Sequence, residues 1–356
     1  MNNRQLYRTT FSKLHTDCEL DWEAKTMETK KKLRCSRKLV IVSMILVLIF
    51  AMTCIANAAT GGQLVDNVRV LINGHEVDSS VYLTDDGSVS DSMKHSYNQA
   101  FAIYALSEYY LASKDKEALK LAFTLFDTVE EKCTDSIAYM EAFDKNWKLI
   151  ENDALSENGL MADKTMNTVL HLIEAYTVLL KASGDTKVAD RLDFLLRLAK
   201  DKIYDGKNHC LKVFFDVDLN VIGDIHSYGH DIEATWLIDR ACEVLGDSEL
   251  AEEWKEKNLL ISENIMNIAL KNGALNNERE NDKIDTKRVW WVQAEGVVGF
   301  CNAYQRYGDA RYLEISRTLW NYIKDKMIDK RPGGEWHSQL WTGESDRQRA
   351  CGSRLS

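Results

Sequence analysis

The sequence contains a single proline among its 356 residues, far below the usual share of roughly 5%. This scarcity excludes most loop-rich β architectures and predicts a mainly helical protein. Basic residues are also in deficit, since 45 Lys and Arg face 55 Asp and Glu, for a formal net charge of −10. A nucleic-acid partner would need a basic face, so none is expected.

Paired cysteines are missing as well. Beyond the N-terminal segment an odd number of cysteines remains, and no two of them have the C-x-x-C spacing. Neither a disulfide framework nor a zinc site is therefore predicted. These cysteines are Cys133, Cys210, Cys242, Cys301 and Cys351.

The longest apolar run, residues 39–55, has no charge. A basic stretch precedes it, and the small residues at 56–58 follow it, as in a secretory signal or an uncleaved membrane anchor. We therefore expect residues 1–58 to be a basic leader with a signal peptide or transmembrane anchor, and residues 59–80 a linker of unclear origin. This predicts a secreted or membrane-anchored protein that contacts the membrane only through its N-terminal segment.

A repeat runs through the remaining chain. The strings SKDKEAL, SGDTKVA, LGDSELA and YGDARYL place an aspartate at 115, 185, 247 and 309, at spacings of 70, 62 and 62 residues. Each aspartate follows a mostly apolar helical segment and opens an amphipathic one, which predicts an N-cap inside a helix pair. Residues 81–341 are thus expected to form four helix pairs, followed by an irregular tail at 342–356.

Short alternating stretches between the pairs predict β-hairpins at Val81–Ser90, Ala138–Leu149, Leu211–Ile222 and Glu335–Trp341. Buried inner helices, amphipathic outer helices and hairpins along one rim describe an all-α fold, the α/α toroid, which usually closes with six pairs. Six pairs of about this repeat length would need roughly 370 residues. The predicted (α/α)6 ring is therefore incomplete.

The first turns of the predicted inner helices carry polar or aromatic residues, whereas the rest of each helix is apolar. In a ring these turns face one cavity, where the positive ends of the helix dipoles favour developing negative charge. His230 and Glu233 share one helix face, so the carboxylate can orient the imidazole. The candidate site residues are Tyr97, Phe101, Asn167, His171, His230, Glu233, Trp290, Trp291 and Glu295.

Core packing alone could explain a single histidine or tryptophan on an inner helix, such as His171 or Trp290. Glu233 and Glu295 fit packing less well, because an unpaired buried carboxylate costs free energy. Glu174 and Asp239, also on inner helices, are interpreted as structural or rim partners.

Three long motifs resemble the cellobiose 2-epimerase branch of the N-acylglucosamine 2-epimerase family: MNTVLHLIEAYTVLLKASGD at 166–185, HSYGHDIEATWLIDRACEVLGD at 226–247 and VWWVQAEGVVGFCNAYQRYGD at 289–309. The segments at 96–113 and 333–340 are similar to it too. The resemblance implies an (α/α)6 barrel of the six-hairpin glycosidase-like type. It also implies a monomeric isomerase that interconverts glucose and mannose at the reducing end of a β-1,4-linked disaccharide, with no cofactor, metal or nucleotide.

Epimerisation at C2 requires an opened aldose, removal of a proton from carbon and return of a proton to the other face, a task suited to histidines. The resemblance assigns one catalytic base to His230, oriented by Glu233, and assigns ring opening to His171 with Asn167. The sugar-stacking and cavity-lining residues that it implies are Trp290, Trp291, Tyr97 and Phe101, and Glu295 is counted with the substrate-binding residues.

Two family features are missing. The second catalytic histidine belongs beyond GEWHSQL, where this chain runs WTGESDRQRACGSRLS, and an early sugar-binding arginine has no counterpart in residues 1–80. We therefore expect the first two helix pairs to be mostly replaced and the last closing helix to be lost, through truncation or a gene-model artefact.

Three alternatives to the epimerase stay open. One is an aldose–ketose (mannose) isomerase of the same superfamily. Another is a toroidal glycoside hydrolase that uses Glu233, Glu295 or Asp231 as acid and base. The third is an inactive fragment.

Overall fold

Eight α-helices lie within the part of the chain that the structure describes. The computed structural model describes residues 93–152, 159–331 and 334–341, together with the backbone of five short strands between residues 62 and 91. The helices follow one another in four pairs, as the repeat predicts. They are α1 Ser96–Ser113, α2 Lys116–Lys132, α3 Met166–Ser183, α4 Thr186–Leu198, α5 Tyr228–Leu245, α6 Ser248–Ile268, α7 Trp290–Tyr307 and α8 Ala310–Tyr322.

The first helices of the pairs form an inner layer. Helices α1, α3, α5 and α7 pack side by side in that order, and each second helix packs on the inner helix of its own pair. The layers differ in burial: α3 is buried from Met166 to Leu179 except at Asn167, whereas α4 buries one stripe that includes Val188 and Leu192. The amphipathic pattern therefore separates an outer layer from an apolar inner one.

The four repeated aspartates cap the second helices, as predicted. Each carboxylate accepts a hydrogen bond from the backbone N–H two residues further on. The residue before each aspartate ends the inner helix in the left-handed conformation, with φ between 63° and 80°. Glycine occupies three of these positions and Lys114 the fourth, so one short sequence both ends the inner helix and starts the outer one.

Short strands connect the pairs. They are β1 Gly62–Gln63, β2 Val70–Ile72, β3 His75–Val77, β4 Val81–Leu83, β5 Val89–Asp91, β6 Lys94–His95, β7 Ala142–Phe143, β8 Lys164–Thr165, β9 Tyr204–Asp205, β10 Cys210–Leu211, β11 Phe214–Phe215, β12 Val221–Ile222, β13 Ile225–Ser227, β14 Leu270–Lys271, β15 Ala274–Leu275, β16 Glu278–Glu280, β17 Lys283–Asp285, β18 Arg288–Val289 and β19 Gln339–Leu340.

Every inner helix begins directly after one of these strands, namely β6, β8, β13 or β18. Each such strand pairs antiparallel with a strand that follows the outer helix of the same pair, namely β7, β11, β16 or β19. This recurring pairing fixes the N-terminal end of every inner helix, which carries the predicted site residues.

The strand pairing confirms part of the hairpin prediction. Strands β11 and β12 form a hairpin, and β4 pairs with β5, whereas Ala138–Leu149 contributes isolated bridges and β7. The hairpin predicted at Glu335–Trp341 is wrong, because its β19 pairs with the distant β18 instead of folding back on itself. A hairpin of β16 and β17 is present that the sequence did not predict.

Among the described helices, none has both the length and the apolar character needed to cross a membrane. The inner helices are apolar because they pack in the protein core, and they still carry charged side chains such as Glu174 and Lys181 in α3. It concerns the described helices alone and does not extend to the segment behind the expectation of a secreted or membrane-anchored protein. Residues 39–55, on which that expectation was based, lie outside the described residues.

Candidate active site

Three of the predicted site residues meet at one point. A ring nitrogen of His171, a ring nitrogen of His230 and a carboxylate oxygen of Glu233 lie within 4.8 Å of one another. They come from the first two turns of α3 and α5, whose starts are fixed by β8 and β13. The strand pairing at the helix starts thus assembles an imidazole–carboxylate cluster from residues 59 or more positions apart on neighbouring helices.

His230 is held at both of its ring nitrogens. Nδ1 lies 2.7 Å from Ser227 Oγ, and Nε2 lies 3.0 Å from Asn167 Oδ1. The Trp291 ring packs against the imidazole with 4.8 Å between ring centroids. Gly229 makes room for this indole, since a Cβ there would lie 2.5 Å from it. The orientation of the imidazole is therefore set by residues of β13, α3 and α7.

An aromatic wall continues from His171. The Phe101 ring lies 4.4 Å from the His171 ring, and Tyr97 packs edge-on against Phe101 at 6.3 Å between centroids. Glu174 Oε2 lies 3.2 Å from His171 Nδ1, one helical turn away. Seven of the nine candidate residues thus form one connected group.

The other two candidates, Trp290 and Glu295, make different contacts. Trp290 packs edge-on against Trp336 at 6.1 Å between centroids. The carboxylate of Glu295 accepts a 2.8 Å hydrogen bond from the Trp236 indole N–H. Glu295 remains close enough to act on Glu233 electrostatically.

Buried carboxyl groups lie beside the imidazoles. Burial raises the pKa of Glu233 well above its ordinary value, and the charges of Glu295 and Glu174 raise it further. Burial likewise raises the pKa of Glu295 to about 7, against the opposing effect of the Trp236 hydrogen bond. The site therefore retains protons on carboxyl groups at pH values where exposed carboxyls are ionised.

The imidazole of His230 shows the opposite shift. Burial, together with the charge of His171, lowers the pKa of His230 to about 3. The lowered pKa keeps the imidazole neutral, with one unprotonated nitrogen that can accept a proton, and it also makes this base weaker than an exposed histidine. The arrangement places such a group beside a protonated carboxyl and an indole face, which suits proton abstraction next to a carbonyl.

Within the part of the chain that the structure describes, two groups of side chains could offer metal ligands. The His171, His230 and Glu233 donors would suit a borderline transition-metal ion, but both nitrogens of His230 are already hydrogen-bonded.

The second group contains Cys210, His226 and Asp231. There, His226 Nε2 lies 2.6 Å from Asp231 Oδ2, and Asp231 Oδ1 accepts from the Leu211 N–H, so the carboxylate ties α5 to the neighbouring strands.

Three residues of the site were not singled out for it from the sequence: Ser227, Glu174 and Trp236. Glu174 has a sequence signal, since it stands three residues after His171. Ser227 stands three residues before His230, a spacing that also fits an ordinary helix cap. Trp236 reaches Glu295 from another helix, a contact without a local sequence signal.

The paired helices, the strands at their starts and the histidine–carboxylate cluster define a sugar-epimerase type of α/α-toroid protein. The family model for N-acylglucosamine 2-epimerase (GlcNAc 2-epimerase) matches residues 19–352, and the chain belongs to this family. A cellobiose 2-epimerase from Ruminococcus albus is 57% identical over 288 residues, which cover 79% of this chain and 74% of that protein.

Solved structures agree with this assignment. The crystal structure of a sugar epimerase from a ruminal bacterium has a TM-score of 0.71 at 59% identity, covering 73% of this chain and 67% of that one. A D-mannose isomerase from Thermobifida fusca is a more distant relative, 23% identical over 304 residues that cover 74% of this chain and 69% of that protein. The family resemblance of the sequence is therefore confirmed.

The family match also runs through residues 39–55. The apolar run that suggested an export signal or anchor thus lies inside the stretch that matches the epimerase family. The comparisons therefore correct the predicted secreted or membrane-anchored location.

Proposed function

We propose that the chain is a carbohydrate epimerase that converts the reducing-end glucose of cellobiose to mannose. The observation that carries this proposal is the cluster of His171, His230 and Glu233, within 4.8 Å of one another beside the Trp291 ring. The cellobiose 2-epimerase at 57% identity supports the choice of substrate.

In the proposed reaction, neutral His230 removes the proton from C2 of the opened sugar. The electron pair of the C–H bond forms the C1–C2 double bond, and the carbonyl oxygen takes the negative charge of an enediolate. Solvent supplies the proton that returns to the opposite face of C2, and His230 passes the proton that it took to solvent, so the epimer forms and the base is regenerated. Glu233 does not orient His230 as expected from the sequence, because Ser227 and Asn167 contact both ring nitrogens. Its protonated carboxyl and the positive ends of α3 and α5 instead stabilise the developing charge.

The remaining candidates position the sugar. His171 and Asn167 assist ring opening and hold the sugar oxygens, while Trp291 offers a flat face to the apolar side of a pyranose. Tyr97 and Phe101 continue this wall next to His171. Trp290 and Glu295 complete the binding region.

The finer architecture is part of the proposal. We take the four described helix pairs as an incomplete (α/α)6 toroid, with the starts of the inner helices around the sugar. The protein acts as a monomer on a small sugar and uses the imidazoles in place of a metal or nucleotide.

The test is solvent exchange at C2. The protein is incubated with cellobiose in heavy water, and glucosyl-mannose and deuterium at C2 are followed by NMR. His230→Ala should lower exchange by at least about 10²- to 10⁴-fold, the usual contribution of a general base. The control is His209→Asn, which alters a histidine that contacts Tyr204 in a turn remote in sequence from the cluster.

The products separate the alternatives. A fructose-ended disaccharide would identify an aldose–ketose isomerase, and free glucose would identify a hydrolase. If the unaltered protein gave no exchange, the epimerase proposal would be wrong. Normal exchange in His230→Ala would remove only the role given to His230.

A further inference from the structure

Ser227 occupies a helix-capping position without capping the helix. It precedes α5 in an extended conformation, with φ −87° and ψ 104°, and its side chain makes no hydrogen bond to the first-turn N–H groups. Thr165, in the same position before α3, does cap, because its hydroxyl accepts from the Thr168 N–H at 3.1 Å. Serine is among the best capping residues, so its hydroxyl is committed elsewhere.

That hydroxyl is committed to His230. Ser227 Oγ lies 2.7 Å from His230 Nδ1, and the serine is 7% exposed. At the other side of the ring, Nε2 faces Asn167 of α3. Nδ1 therefore faces the strand that precedes α5, while Nε2 faces Asn167 on the neighbouring inner helix.

A hydroxyl suits both neutral forms of the ring, because it offers one donor and two acceptor sites. When Nε2 carries the proton and donates to Asn167, the serine O–H donates to the bare Nδ1. When Nδ1 carries the proton, it donates to Ser227 Oγ, and the Nε2 lone pair can take a proton once the Asn167 side chain moves aside.

We propose that Ser227 is a positioning residue that turns Nε2 of His230 toward the sugar and supports the ring in its proton-accepting form. The proposal rests on the proposed role of His230. Ser227 itself touches neither the sugar nor the transferred proton. Its contribution is the orientation and tautomer of the base, in the way that a third group orients the base of a catalytic triad.

The experiment compares Ser227→Ala and Ser227→Thr in cellobiose turnover and C2 exchange. Ser227→Ala should lower kcat roughly 10- to 100-fold, the size of effect expected from a slightly misplaced base, with KM within about threefold. Ser227→Thr keeps the hydroxyl on an extended backbone that suits a β-branched residue and should restore most of kcat. Melting temperatures should stay near that of the unaltered protein, since no helix cap is lost.

Ser316→Ala is the matched control. Ser316 is also 7% exposed and donates to the Val297 carbonyl at 2.9 Å, on α8, so this variant removes an equally buried hydroxyl from the outer layer. Its kcat should be unchanged.

Two results would overturn the inference while leaving the epimerase itself intact. One is a fully active Ser227→Ala beside an inactive His230→Ala. The other is equal loss in Ser227→Ala and Ser227→Thr, accompanied by a lower melting temperature, which would indicate a packing role. An inactive unaltered protein would instead count against the proposed function.

Discussion

Among single residues, Glu295 links the site most directly to pH. Its pKa is raised by burial from the ordinary 4.5 to about 7, so the folded state binds a proton more tightly than the unfolded state. The stabilisation from this group is complete below about pH 4.5 and is lost as the pH rises through 7.

Replacing Glu295 by Gln should therefore stabilise the protein at high pH. Glutamine keeps the neutral form and an oxygen for the Trp236 N–H, so the variant should melt roughly 2–5 °C above the unaltered protein at pH 8 and level with it at pH 4.5. Melting curves at the two pH values check this. Glu256→Gln, at an exposed position on α6, should show no such difference. If Glu295→Gln changed the melting temperature equally at both pH values, the raised pKa of Glu295 would be contradicted.

At this scale the sequence predicts residue types better than their hydrogen bonds. The aligned positions and the family motifs identify His171, His230 and Glu233, which the structure brings together. From the sequence, the Ser227 hydroxyl could either cap α5 or bond to His230, and the three-residue spacing fits both. Contacts such as Trp236 to Glu295 depend on how two helices pack.

Among the elements, the turns inside the helix pairs are the most regular feature. Three inner helices end on glycine in the left-handed conformation, but α1 ends on Lys114 with φ 63°. A side chain in this conformation costs free energy that glycine does not. The Lys114 ammonium recovers part of it by lying 5.3 Å from the Tyr110 ring centre.

Lys114→Gly should therefore stabilise the protein. We expect a gain of about 0.5–1 kcal/mol in the free energy of unfolding, measured by urea denaturation. Lys114→Ala removes the same side chain without relieving the backbone, so it should not stabilise. A lower urea midpoint for Lys114→Gly would show that the ammonium–ring contact outweighs the backbone strain.

The difference between local and long-range contacts explains which elements could be predicted from the sequence. Caps and helix pairs are local, so Asp115 and its three counterparts could be placed from short strings. Strand partners are not local: β19 pairs with β18, about fifty residues earlier in the chain, and nothing in the Glu335–Trp341 segment indicates this. The periodicity of the helices predicted the layers, because a buried stripe and a fully buried helix have different patterns.

For the molecule as a whole, the inner layer depends on close approach between helices. A Cβ added at Gly299 of α7 would lie 2.5 Å from the backbone oxygen of Ile232 in α5. The Ile232 backbone cannot shift without disturbing α5, so α5 and α7 would have to move apart.

Gly299→Ala should cost roughly 1–3 kcal/mol of stability and lower the melting temperature. Since α5 carries His230 and α7 carries Trp291, turnover should fall as well. Gly206→Ala is the control, because a Cβ there meets only an ordinary 3.6 Å contact. If the two variants had the same melting temperature, α5 would not be packed tightly on α7.

The strand pairing has a consequence for how the chain folds. Each inner helix is preceded by a strand whose partner follows the outer helix of the same pair, so each pair is a loop closed by its own ends. Because each loop is closed within one helix pair, its contacts join residues that are near in sequence, which favours rapid folding. A folded pair then presents its side to the next pair, which packs against it. The protein can therefore be built one pair at a time from its N-terminal side, as it leaves the ribosome.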